Sequence, residues 1–235
     1  MELQEVMSRL EELGSEQTKR TFRNHGAPEP LFGVKIGDLK PLAKSVRKDR
    51  QLALDLFATG NSDAMYLAGL SIDPQTMDKP LLRAWARQAS WYMLAETTVA
   101  GVAAESGHGR DLAEEWIRSA EEMIATCGWS TYAHYVSLTP DNELDIDRIR
   151  ALLDEIAATI HQAPNRVRYT MNAFVIAVGS YVEPLHEHAL QAAAQIGKVN
   201  VDVGQTACKV PLAGAYIAKT VAAGKLGKKK KTCIC

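Results

Sequence analysis

What the chain lacks narrows its class first. It contains no G-x-x-x-x-G-K-[ST], no G-x-G-x-x-G and no G-x-S-x-G, so nucleotide hydrolysis on a phosphate loop, dinucleotide chemistry and the α/β-hydrolase mechanism find no residues to run on. No apolar run reaches about 18 residues, so no membrane span is expected. The opening Met1-Glu-Leu-Gln-Glu5 is acidic where a secretory leader is basic, which predicts a cytoplasmic protein. Four cysteines, Cys127, Cys208, Cys233 and Cys235, are too few and too scattered for a disulfide framework and read as reduced thiols. Aromatics are only 6% of residues and strand-like alternation is nearly absent, while alanine is abundant, a balance that favours closely packed helices over a β-sandwich. His186 and His188 stand two apart, on different faces of a helix, and do not form a metal pair. No metal, nucleotide or other cofactor is expected.

What the chain does have is segregated charge. Its formal net charge of −1 conceals four blocks. Residues 1–17 hold one base and five acids, 18–50 nine and three, 51–165 seven and seventeen, and 166–235 ten and three, giving −4, +6, −10 and +7. If folding brings the two basic blocks onto one surface, a polyanion is the natural partner; otherwise each block is a solvated face. With 235 residues, 46% of them hydrophobic, there is apolar material for one large domain or a continuous repeat array.

Helix grammar runs along the whole chain. Leu3, Val6, Met7, Leu10 and Leu13 form an amphipathic stripe that stops at Gly14, and Ser15 can cap the helix that carries Lys19, Arg20 and Arg23. After the breaker His25-Gly-Ala-Pro-Glu-Pro30 and the tight connection Phe32 to Gly37, Asp38 begins a helix with Leu39, Leu42, Ala43 and Val46 inward and Lys40, Lys44, Arg47 and Lys48 outward. Further helices are predicted over 51–58, from Asn61 to Leu70, from Asp78 to Ala89, over 91–104 with Ser90 as cap, over 111–119, then to Leu138, over 145–161, from Arg166 on, over 183–196 and over 211–223. The aromatic stripe Trp129, Tyr132 and Tyr135 reads as core. About a dozen helices in units of roughly 35 to 45 residues have the spacing of HEAT-type repeats. The expectation is one domain over 1–224, monomeric, followed by a flexible polybasic tail over 225–235. That tail ends Thr232-Cys-Ile-Cys235, and because these four residues do not begin with cysteine they are not a prenylation box.

Arg166-Val-Arg-Tyr-Thr-Met-Asn172 opens an apolar helix just after the turn Ala163-Pro-Asn165. Arg166, Tyr169 and Asn172 recur at three-residue steps, so one face carries a cation, a ring and an amide, a set suited to a phosphate backbone. This stretch, the segment Phe22 to Lys40 and the segment Ile196 to Pro211 resemble the DNA alkylation repair family, the AlkD-like group of HEAT-like-repeat proteins, over nearly the whole chain. The resemblance implies an all-α, right-handed superhelical solenoid whose concave basic surface holds duplex DNA. In active members it also implies a tryptophan-lined cleft with an aspartate, where cationic N3- and N7-alkylated purines are excised without base flipping. Taken with the basic runs, it nominates Lys35, Lys40, Lys44, Arg47, Arg118, Arg166, Arg168, Tyr169, Asn172, Lys209 and the tail lysines Lys228, Lys229, Lys230 and Lys231 as DNA contacts.

The catalytic position departs from the family pattern. There the aspartate stands four residues after a tryptophan, whereas here the matching stretch is Trp91-Tyr-Met-Leu-Ala95-Glu96. Ala95 carries no charge, and Glu96, one residue on, is rotated by about 100° in a regular helix. A π-bulge would restore it. Trp91 is the candidate cleft aromatic and Glu96 the candidate carboxylate, with a further cleft tryptophan of the family replaced near Phe174. Three readings follow: a DNA-binding member holding duplex, distorted or branched DNA without efficient glycosylase activity; an active alkylpurine glycosylase using Glu96 or ring stabilisation alone; and a protein-binding helical scaffold.

Overall fold

The computed structural model describes residues 1–47 and 49–234; Lys48 and Cys235, both named above, lie outside the described residues. Among the described residues there is no strand. The helices are α1 (Leu3–Leu13), α2 (Glu16–Asn24), α3 (Ile36–Val46), α4 (Arg50–Ala58), α5 (Ser62–Ser71), α6 (Lys79–Gln88), α7 (Ala100–Glu105), α8 (Gly109–Trp116), α9 (Glu122–Leu138), α10 (Ile146–Thr159), α11 (Asn165–Tyr181), α12 (His186–Ile196) and α13 (Ala213–Ala222). A π-helical turn, Leu94–Val99, leads directly into α7.

Local chemistry accounts for many boundaries. The side chains of Ser15, Asp49, Asn61, Asp78 and Asp145 each accept a first-turn backbone amide of the helix they start. The expected cap at Ser90 is not formed: the π-turn that follows has no side-chain cap. The connection over 25–35 is irregular yet fixed: the buried Asp63 carboxylate accepts from Phe32 N at 2.6 Å, Gly33 N at 3.0 Å and Val34 N at 2.8 Å. Gly33 has φ +79°, and a Cβ there would meet the Lys19 backbone nitrogen at 2.5 Å, so only glycine fits.

From α6 onward the helices form two rows. The π-turn with α7, then α9, α11 and α13 pack successively on one another, and α8, α10 and α12 cover them. Ion pairs and one hydrogen bond stitch the covering row together: Arg83 to Glu115 at 2.5 Å, Arg110 to Asp145 at 2.6 Å, Arg148 to Glu114 at 2.6 Å and Arg118 to Glu155 at 2.5 Å, with His188 Nε2 hydrogen-bonded to Asp154 Oδ1 at 2.7 Å. Partners are 32 to 37 residues apart, so each rung joins one helical unit to the next. Five of the seven cations of the acidic middle are thus spent on five of its seventeen carboxylates. Trp129 and Tyr132 lie in the core against Phe174, with ring centroids 5.4 Å apart in both pairs.

The tail is docked, which differs from the expected free segment. Gly227 N donates to Ser180 O at 3.0 Å, Lys230 N to Ser137 O at 2.8 Å, and Cys233 N to Glu105 Oε1 at 2.6 Å. Lys229 pairs with Asp141 at 2.8 Å. Ile234 settles against Gly69, Thr97, Thr98 and Gly101, where a Cβ on Gly101 would already touch it at 3.4 Å. Backbone groups at the C-terminal ends of α9 and α11 receive the strap, because helix ends carry unsatisfied carbonyls. No helix among the described residues is long and apolar enough to cross a membrane.

Candidate functional site

The π-turn decides where Glu96 points. Its extra residue per turn sets Glu96 beside the start of α11, 70 residues on, where Arg166 Nη2 donates to Glu96 Oε2 at 2.7 Å and Arg166 Nε donates to Oε1. The side chains are only 10% and 14% exposed. The guanidinium is also sandwiched, its Cζ 3.8 Å from the Tyr92 ring centroid and 4.0 Å from that of Tyr169. Fork geometry, desolvation and two π-faces act on the same cation. Burial pushes the Glu96 carboxyl above its ordinary range, and the Arg166 hydrogen bonds and charge oppose that rise. The Glu96 carbonyl accepts from His134 Nε2 at 3.1 Å, which puts a proton on Nε2; burial holds the ring's pKa down to about 4, so it is neutral at neutral pH.

Above this pair opens a cleft of about 420 Å³, lined by Arg23, His25, Tyr92, Asn165, Arg166, Tyr169, Asp202 and Cys208 among others. Trp91 lies beneath the cleft wall. It is 2% exposed, packs on Phe22 with centroids 5.3 Å apart, and donates Nε1 to His25 O at 2.8 Å. Its neighbour Tyr92 takes the cleft position, its hydroxyl 2.8 Å from His25 Nδ1. The far wall is clasped to α11: Asn165 Nδ2 donates to Asp202 O at 2.9 Å and accepts from Asp202 N at 2.8 Å on Oδ1. Tyr92, His25 and this clasp escaped the sequence reading. The only signal for Tyr92 was its place next to Trp91.

The other nominated residues separate into groups. Tyr169 and Arg166 meet in the cleft. Asn172, on the same helix, is fully buried and donates Nδ2 to Pro211 O at 2.9 Å, and Phe174 is fully buried as well; α11 is enclosed by α9, α12 and α13, so the face expected to carry all three is covered by the time it reaches the amide. Arg118 belongs to the ion-pair ladder, held by both Glu155 oxygens. Lys35, Lys40, Lys44 and Arg47 are exposed on and at either end of α3, and Lys209 is exposed beside half-buried Arg168. In the tail, Lys228, Lys230 and Lys231 are exposed while Lys229 is spent on Asp141 and Val136 O.

A two-row helical array with an arginine-locked carboxylate under an aromatic cleft defines a HEAT-like-repeat protein. Residues 6–203 match the family model described as DNA alkylation repair enzyme, and the chain belongs to that family. An uncharacterised protein of Listeria innocua is 35% identical over 216 residues, covering 89% of this chain and 93% of the relative; one of Listeria monocytogenes is 36% identical with the same coverage. Among solved structures, a member of a new family of proteins related to the HEAT-like repeat DNA glycosylases with affinity for branched DNA structures is 37% identical. It superposes with a TM-score of 0.92 over 100% of both chains.

Proposed function

We propose that this protein binds DNA, duplex or branched, through the basic surfaces contributed by residues 18–50 and 166–231, and that base excision is not its main chemistry. One observation carries the binding reading. Five of the seven cations in residues 51–165 are paired with carboxylates, whereas Lys35, Lys40, Lys44, Lys198, Lys209, Lys228 and Lys231 are exposed and make no ion pair among the described residues. Unspent cations on a near-neutral protein are what counterion release from a phosphate backbone acts on. The affinity of the solved relative for branched DNA supports the same class of partner.

The doubt about excision rests on Glu96. A carboxylate that stabilises a developing oxocarbenium ion must face the sugar with its charge available. Here that charge is neutralised by Arg166, whose guanidinium is itself covered by two rings. The test is fluorescence anisotropy on plain, methylated and branched duplexes across a salt series. Replacing Lys35, Lys40 and Lys44 with alanine is expected to weaken binding to all of them and to flatten the log–log salt slope by about 0.9 for each phosphate no longer neutralised. Release of 7-methylguanine or 3-methyladenine in single turnover, abolished by Glu96→Gln, would instead favour the glycosylase reading. Binding insensitive to salt and to these lysines would favour a protein scaffold.

A further inference from the structure

On the other side of the Asn165–Asp202 clasp from the cleft lies an open groove of about 710 Å³. We propose that this groove is a second phosphodiester subsite, one that grips the backbone of a strand running outside the clasp; the proposal rests on the DNA-binding reading above.

Three cations from three separate segments converge on it. Arg168 comes from the first turns of α11, Lys198 from the residue after Gly197 at the end of α12, and Lys209 from the return of the following loop. Arg168 is the informative one. Its Nε is buried with no hydrogen-bond partner, and its Nη2 reaches Asn165 Oδ1 only at 3.5 Å, the long limit of a hydrogen bond. A half-buried guanidinium whose donors the protein leaves largely unmet is completed by an oxyanion. The single carboxylate in the lining, Asp202, stands against three cations and accepts from Gly204 N at 2.9 Å on Oδ1.

The lining also says which part of a nucleic acid fits. The groove has no aromatic side chain, so it offers no stacking platform for a base. The cleft on the near side has two tyrosines. Cations without rings recognise backbone rather than base. A clasp with a ring-lined depression on one side and a cation-lined depression on the other can hold two strands that diverge, which a branched junction supplies and a linear duplex does not.

The experiment compares a four-way junction with a linear duplex of the same sequence by anisotropy, using wild type, Lys198→Ala/Lys209→Ala and Arg168→Gln. Both lysines are exposed, so the double variant keeps the fold even if Arg168→Gln perturbs it. The double variant is expected to lose about tenfold in junction affinity, with the salt slope flattened by about 0.9 per phosphate released, while duplex affinity changes by about twofold or less. Equal losses on both DNAs or no loss on either would overturn the subsite. Should wild type bind neither DNA, the DNA-binding reading itself falls, an outcome distinct from loss of the junction preference alone.

Discussion

Glu96 and Arg166 are worth more to each other than either is to the fold alone. Removing one partner of a buried ion pair strands the other charge, so Arg166→Ala should cost about 3 to 5 kcal/mol in urea unfolding. Pairing it with Glu96→Gln, which removes the stranded charge, should recover much of that loss, and a double-mutant cycle measures the coupling. His134 makes a separate prediction. It is neutral in the fold, with its pKa lowered from 6.5 to about 4 by burial, and it takes up a proton in the unfolded chain below 6.5. Stability is therefore intact above about 6.5 and is lost as pH falls from there towards 4, by up to about 3 kcal/mol. In His134→Gln, whose amide can still donate to the Glu96 carbonyl, the slope of stability against pH in that window should shrink.

At the scale of elements, the π-turn Leu94–Val99 is the structural decision that matters most. A regular helix through this stretch would rotate Glu96 away from Arg166. The turn is wedged from two sides: Thr98 packs against Gly69 of α5, and His134 of α9 holds the Glu96 carbonyl. A Cβ on Gly69 would collide with the Thr98 Cγ2 methyl. Gly69→Ala should therefore destabilise by about 1 to 3 kcal/mol and shift the tyrosine and tryptophan fluorescence of the cleft, although the substitution favours helix in isolation. A change confined to stability, with the cleft spectra unaltered, would mean that Thr98 yields without moving the turn.

At the scale of the molecule, the chain is closed back on itself. The strap from Gly224 to Ile234 runs over the ends of α11 and α9 and ends against α5 and the π-turn. Deleting residues 228–235 removes backbone hydrogen bonds to Ser137 and Glu105 and the seat of Ile234. The expected cost is roughly 2 kcal/mol, a drop of about 4 to 8 °C in Tm, with faster hydrogen exchange over 97–105. An unchanged Tm would mean the strap rests on the surface without holding it.

The sequence by itself determined the helices, their caps at Ser15, Asn61 and Asp78, the approximate repeat length, the charge blocks and the family, because caps, amphipathic stripes and motifs are written within a few neighbouring residues. The tertiary structure decided the site. Whether Glu96 met Arg166 depended on a widened turn that packs on Gly69 and is held by His134. Its partner stands 70 residues away, and the carboxylate that receives the Cys233 amide stands 128 residues from it. Asn172 and Phe174 turned inward because α9, α12 and α13 enclose α11 on several sides, whereas a periodic pattern can report only one buried face. Four lysines in a row read as a solvated tail, and only the carbonyls left open at two helix ends, with Asp141 and Glu105 beside them, made that tail part of the fold.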